Sequence, residues 1–127
     1  MIDYAATIVP VRDVAATIAF YRGTLEFEES GMAEDESFGI VKHGPAVVQL
    51  VRCDDEDVLK VTGTNISIYV SVKGVEALHE RLKERLVKLP EGRYRPLFDQ
   101  PYGMREFHVK DPDGCLLFFG EEISEGA

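Results

Sequence analysis

Apolar and polar positions change period along the chain, from two to about three and a half and back, and they do so twice. Residues 4–11, Tyr-Ala-Ala-Thr-Ile-Val-Pro-Val, read as a strand. Asp13 follows where a helix N-cap is wanted, its carboxylate placed for the free amides of a first turn. Val14, Ile18, Tyr21 and Leu25 then recur at i, i+4, i+7 and i+11, one apolar stripe of a helix that ends near Gly23-Thr24. Three short β runs come next, at 25–31, 37–42 and 45–52, the last two joined by a tight turn at His43-Gly44. Asp54-Asp55-Glu56-Asp57 breaks the pattern.

The order restarts near residue 64. Asn65 to Val72 alternates strictly, as a strand does. Residues 74–88 predict a helix with Val75, Leu78, Leu82, Leu86 and Leu89 on one side. His79 stands among Glu80, Arg81 and Lys83 and reads as solvated. Leu89-Pro90-Glu91-Gly92 ends that helix. Weak strand signals over 93–98 precede a firm hairpin, 104–110 and 115–120, turned by Asp111-Pro112-Asp113-Gly114. Proline fixing φ and glycine accepting positive φ make this a β-turn rather than a metal or acid–base site.

Each half therefore reads β-α-β-β-β, an internal duplication inside a single domain of residues 1–127, with modules at about 4–60 and 64–121. Overlaying Val11 on Val70 sets an offset of 59, and the hairpins align Ile40-Val41-Lys42-His43 on His108-Val109-Lys110-Asp111. Segment 90–103, with Pro90, Pro96 and Pro101, reads as a lid or binding loop.

Two strands carry chemistry on one face. In 65–72 the face Ile66, Ile68, Val70 and Val72 must pack on a helix, which leaves Asn65, Ser67, Tyr69 and Ser71 towards water or a wet cavity. In 104–110, Phe107 and Val109 take the helix side, and Met104, Glu106 and His108 share the other. Glu106 either pairs with Arg105 or Arg95 or anchors a cationic ligand. His108 is either a wall residue or a ligand contact or base, since imidazole titrates near neutrality.

Charge narrows the partners. Lys and Arg number 14 against 23 Asp and Glu, a net charge of −9, which excludes a nucleic-acid binder that must neutralise phosphates. Ten of the acids lie at 26–36 and 54–57, either a solvated rim or a negative funnel for a cation. Apolar residues make up 45%, yet no uncharged run approaches the ~20 residues of a membrane span. No basic-then-apolar leader opens the sequence, so a cytoplasmic protein is expected, with Cys53 and Cys115 as reduced thiols. Neither a nucleophile-elbow glycine pattern nor a phosphate loop occurs.

The motifs Val11-Arg12-Asp13, Ile18-Ala19-Phe20-Tyr21 with Leu25, and Gly103-Met104-Arg105-Glu106-Phe107 running into Asp111-Pro112-Asp113-Gly114 give the chain a resemblance that spans about 4–121. It resembles the vicinal oxygen chelate superfamily, which includes glyoxalase I, bleomycin-resistance proteins and extradiol dioxygenases. The resemblance implies an α+β fold in which two βαβββ modules curl a mixed sheet into a concave ligand cup, with helices on the outer face. It also implies a homodimer. Metal-dependent members ligate a divalent ion from four strand positions, which fall here on Ala6, Gln49, Asn65 and Phe118. Alanine and phenylalanine offer no ligand atom and the two amides only neutral carbonyl oxygens, so no metal or other cofactor is expected.

The Gly-Met-Arg-Glu-Phe segment is similar above all to the bleomycin-resistance branch, whose members sequester a cationic drug unaltered. The implied ligand-binding residues are Phe38, Gln49, Asn65, Ser67, Tyr69, Tyr102, Glu106, His108 and Phe118, with Tyr102, Phe38 and Phe118 stacking and Glu106 as anionic anchor. The expected function is metal-independent binding of a small cationic or aromatic molecule. Two alternatives stay open: a glyoxalase-like lyase or isomerase using His108 and Glu106, with or without a weakly held metal, and a non-catalytic ligand-sensing module.

Overall fold

The computed structural model describes residues 1–123. It divides into two compact units, one of Met1–Ile66 with Asp111–Cys115, the other built on Ser67–Lys110 with the strand that begins at Leu116. The fold is α+β, and the described residues form three helices and two four-stranded mixed sheets.

In the first unit β1 (Ala6–Val11) runs parallel to β4 (Ala46–Arg52), followed by β3 (Phe38–His43) and the edge strand β2 (Glu28–Met32), giving the order β1-β4-β3-β2. Helix α1 (Val14–Leu25) packs on one face of this sheet. Asp13 caps it as expected, accepting from the Ala16 amide at 3.0 Å, and the predicted stripe Val14, Ile18, Tyr21 and Leu25 is buried. Burying each of these side chains is worth roughly 1.5–3 kcal/mol, which far exceeds the intrinsic helix propensity of the segment.

The second unit repeats the plan. β5 (Ser67–Ser71) runs parallel to β8 (Leu116–Glu122), then come β7 (Met104–Lys110) and β6 (Tyr94–Asp99), in the order β5-β8-β7-β6. Helix α3 (Val75–Leu86) covers one face. Its N-cap is Gly74, which has no side chain to offer, and Glu121 of β8 accepts from the Gly74 and Val75 amides instead, at 2.9 and 3.1 Å.

Four expectations are corrected. The acidic run at 54–57 opens a helix, α2 (Glu56–Asn65): Asp55 accepts from the Asp57 and Val58 amides, and Glu56 and Asp57 complement the positive helix start. Asn65 consequently ends α2 and does not lie on a strand. The middle of segment 90–103 is β6, so the expected lid shrinks to the turn Gln100–Gly103, closed by the Gln100 amide on the Met104 carbonyl at 2.7 Å. His79 is buried rather than solvated, with 7% of its surface exposed.

The repeat also slips by two residues. α1 begins at Val14 and α3 at Val75, and both run 12 residues, so the offset there is 75 − 14 = 61 rather than 59. Alternation has period two and is blind to a slip of two, so every face assignment survives it. The hairpin alignment of Ile40 on His108 stands: Ile40 pairs with Gln49 in one sheet and His108 with Phe118 in the other. Asp111-Pro112-Asp113-Gly114 is a turn as read, the Asp111 carboxylate accepting from the Asp113 and Cys115 amides, both at 2.9 Å. Both cysteines are free thiols, and burial lifts that of Cys115 to about 12. No helix among the described residues is long and apolar enough to cross a membrane.

Candidate functional site

The face of the second sheet turned away from α3 is built in cross-strand rungs. Register places Tyr69 beside Phe118, Phe118 beside His108 and His108 beside Arg95. The next rung is Ser71, Gly120, Glu106 and Phe98. Because side chains alternate across a strand, and a bulge between Arg95 and Phe98 takes up one extra residue of β6, all eight belong to one face.

Aromatic rings tile this surface. Tyr69 stacks on Phe118 with centroids 5.8 Å apart, His108 lies 4.2 Å from Phe118, and Phe98 meets His108 edge-on at 5.1 Å. The Arg95 guanidinium sits 3.4 Å above the Phe98 ring, a cation on a π face. Tyr69 and Tyr102 keep 46% and 60% of their surface exposed, so the tiling is open to a ligand.

Beneath it Glu106 is fully buried. Its Oε1 accepts from Gln100 Nε2 at 3.1 Å and from His108 Nε2 at 2.8 Å. Its Oε2 accepts from the Tyr69 hydroxyl at 2.9 Å and the Tyr102 hydroxyl at 2.7 Å. Burial alone would raise this carboxyl, but the four hydrogen bonds together outweigh it and hold the group below the usual carboxylate range. The two tyrosines respond in the opposite sense: burial first, then the bond to Glu106, pushes both phenols up.

Gly120 makes the arrangement possible. A Cβ there would lie 1.9 Å from the Tyr69 hydroxyl oxygen and 3.0 Å from Glu106 Cγ. The Tyr69 ring thus crosses β8 through the space that a side chain would fill.

Of the residues singled out in the sequence, Tyr69, Tyr102, Glu106, His108 and Phe118 come together here. Ser67 lies on the same face, one rung away, beside Leu116. Phe38 and Gln49 belong to the first unit, on the sheet face opposite α1, and Asn65 to the end of α2. The pairing of Glu106 with Arg105 does not occur. Arg105 points to the helix side, where Asp99 and Glu76 hold it. Gln100, Phe98 and Gly120 were missed. Gln100 bonds sideways from a turn, which no periodicity reports, whereas Phe98 and Gly120 follow from register once β6 and β8 are in place.

In two open clefts of the first unit, about 740 and 410 Å³, Arg22 pairs with Glu29 and Arg12 with Glu56 and Asp113. The observed offset carries Ala6 onto Ser67 rather than Asn65, which leaves the donors at the four metal positions as a hydroxyl and one amide carbonyl. These do not fit a divalent ion, which takes imidazole or carboxylate in such sites. Among the described residues no three His, Cys, Asp or Glu side chains gather into a cage.

A family model described as the glyoxalase/bleomycin resistance protein/dioxygenase superfamily matches residues 2–119. The chain is similar to the bleomycin-binding protein of Streptomyces verticillus, solved with copper(II)-bleomycin, at 25% identity and a TM-score of 0.76 over 98% of both chains. It shares the fold of a bleomycin resistance determinant from the transposon Tn5 (20% identity, TM-score 0.77, 95% of this chain and 98% of that one). It also shares that of a glyoxalase-related enzyme from Clostridium phytofermentans (18%, 0.72, 97% of each). No curated protein matches the chain.

Proposed function

Because the chain belongs to the glyoxalase/bleomycin resistance protein/dioxygenase superfamily, we propose that it binds a small cationic, aromatic molecule of the bleomycin kind without a metal cofactor and without altering it. The observation that carries this reading is the tiling of half-buried Phe118, His108 and Phe98 beside exposed Tyr69, over a buried negative charge at Glu106. Rings supply stacking area and π faces for a cation, and the carboxylate beneath adds a negative potential in a place where water does not screen it. The similarity to a protein solved with copper(II)-bleomycin supports the same ligand class. A net charge of −9 favours the approach of a cation.

The active form in this proposal is a cytoplasmic homodimer. Its support is the exposure of Ile8 and Val51, at 61% and 37%, on the first sheet, and light scattering tests it.

Titration with metal-free bleomycin tests the binding. The melting temperature should rise with ligand concentration, and EDTA or added divalent ions should leave it unchanged. A second reading, a lyase or isomerase with His108 as base, draws on the 2.8 Å contact of His108 with Glu106. Turnover of a hemithioacetal that vanishes in a His108→Gln variant would replace the binding function with that one.

A further inference from the structure

We infer that Glu106 is a positioning residue that turns the protons of Tyr69, Tyr102 and His108 inward, so that this cluster offers a ligand acceptors only and favours N–H or cationic groups over carboxylates. The inference rests on the reading of this face as the binding site.

A carboxylate has about four acceptor positions, and Glu106 spends all of them on Gln100, His108, Tyr69 and Tyr102. It has no exposed surface left with which to touch a ligand. An ionised carboxylate cannot donate, so each of the four partners must. A tyrosine has one hydroxyl proton, and at Tyr69 and Tyr102 it points inward. Outward, each offers only oxygen lone pairs. A neutral imidazole has one N–H, and here Nε2 carries it towards Glu106. His108 Nδ1 is left with its lone pair. The rings between them present negative π faces, one of which already holds the Arg95 guanidinium. Outward, Tyr69, Tyr102 and His108 therefore all ask the ligand for a proton or a positive charge. A ligand carboxylate brought to the same place would meet lone pairs and lose its hydration without replacement.

The first test needs no ligand and leaves Glu106 and its partners unaltered. Long-range ¹H–¹⁵N spectra of the free protein at pH 8 report the tautomer of each of its three histidines, assigned through His43→Gln and His79→Gln. His108 should carry its proton on Nε2. A proton on Nδ1 overturns the inference.

The second test compares phenethylammonium with phenylacetate, which share a ring and differ in charge, in enough salt to screen the protein's net charge. The ammonium should shift the Tyr69 and His108 resonances, and the carboxylate should not; equal shifts from both overturn the inference. The third is calorimetry with metal-free bleomycin. Glu106→Gln puts an NH2 where an oxygen accepted, which forces a neighbour to turn a lone pair inward, and affinity should fall about tenfold. Tyr102→Phe removes one outward acceptor from an exposed side chain and should weaken binding severalfold while the fold persists. If the wild type takes up no bleomycin, the proposed function fails, and the tautomer still decides the role of Glu106. If the wild type binds and Glu106→Gln binds within a factor of two, the positioning role alone fails.

Discussion

The two sheets share strand order and register, and they differ most on the face turned away from their helices. Position for position, Ile8 answers to Tyr69, Gln49 to Phe118 and Ile40 to His108. Phe38 answers to Glu106, and Val51 to Gly120. The first face is thus apolar around one central amide, and the second is polar and aromatic around one central carboxylate. The helix sides are alike: Val14 and Val75, Leu25 and Leu86, Val48 and Leu117, Leu50 and Phe119 are all buried. Packing against a helix restricts a position to apolar side chains of fitting volume. The opposite face is under no such demand, and there the two copies have diverged into a bare apolar surface and a hydrogen-bonded cluster.

The sharpest way to break this contrast is to write the first sheet's residue into the second. Gly120→Val restores the side chain that Val51 has, and its Cβ would occupy the space of the Tyr69 hydroxyl. We expect a loss of about 1–3 kcal/mol from overpacking. Bleomycin affinity should fall at least tenfold, since Tyr69 must leave both Phe118 and Glu106. Calorimetric unfolding and titration measure the two effects, and an unchanged melting temperature would mean that Tyr69 does not lie across β8.

One pair of positions breaks the likeness of the helix sides. Ile18 answers to His79, and Gly39, beneath Ile18, answers to Phe107. A Cβ on Gly39 would lie 2.7 Å from Ile18 Cδ1, whereas His79 packs 5.1 Å from the Phe107 ring and bonds the Tyr94 hydroxyl at 2.6 Å. Burial, and then Lys83, hold His79 below the usual histidine value, with Glu80 pulling weakly the other way. The unfolded chain therefore binds the proton better than the folded one. The contribution of His79 is complete above its ordinary value of 6.5 and is lost as pH falls through that value towards the folded one. The melting temperature should drop between pH 7.5 and 5.5, and His79→Ile, the residue of the first unit, should flatten that slope. At pH 7.5 the same change leaves the Tyr94 hydroxyl without its partner, at a cost of about 1–2 kcal/mol. A slope as steep in His79→Ile as in the wild type would place the titrating group elsewhere.

These cases show what was legible in the sequence. The β-α-β-β-β order, the stripe of α1 and the faces of β5 and β7 follow from period and parity, which local sequence carries in full. His79 was misjudged from its charged neighbours, although it stands four residues after Val75, as Ile18 stands four after Val14. Spacing was the better guide than company. Helix α2 carried a sound N-terminal signature in Asp55, Glu56 and Asp57, but only Leu59 and Thr62 of its residues are buried, too short a stripe to show as periodicity. At the candidate site parity placed Glu106 and His108 on one face. That Glu106 would be buried and bonded to four donors depends on Gln100 and Tyr102 in a turn and on the absent side chain of Gly120. Those are tertiary facts, and pattern along one strand does not contain them.

The smallest expected effects separate the two units by how their first helices are capped. α1 is capped from within by Asp13, three residues before the amide it serves. α3 is capped from another strand, by Glu121. Asp13→Ala should cost about 1 kcal/mol and fray the start of α1 alone. Glu121→Gln keeps one acceptor oxygen, so its effect on the melting temperature should be smaller. The two backbone bonds from Gly74 and Val75 hold the Glu121 carboxyl below its usual range. Its contribution is therefore present above the ordinary glutamate value of 4.5 and lost as pH falls through the lower folded one. Amide exchange reads the difference directly: Gly74 and Val75 should exchange faster in Glu121→Gln than in the wild type, and Ala16 should not change. Because Glu121 sits on β8, one position after Gly120 on the opposite face of the strand, its cap ties the start of α3 to the strand that Tyr69 crosses. Faster exchange at Gly74 in Gly120→Val as well would show that the strand transmits the disturbance. Unchanged exchange there would confine the divergence of the two sheets to their open faces.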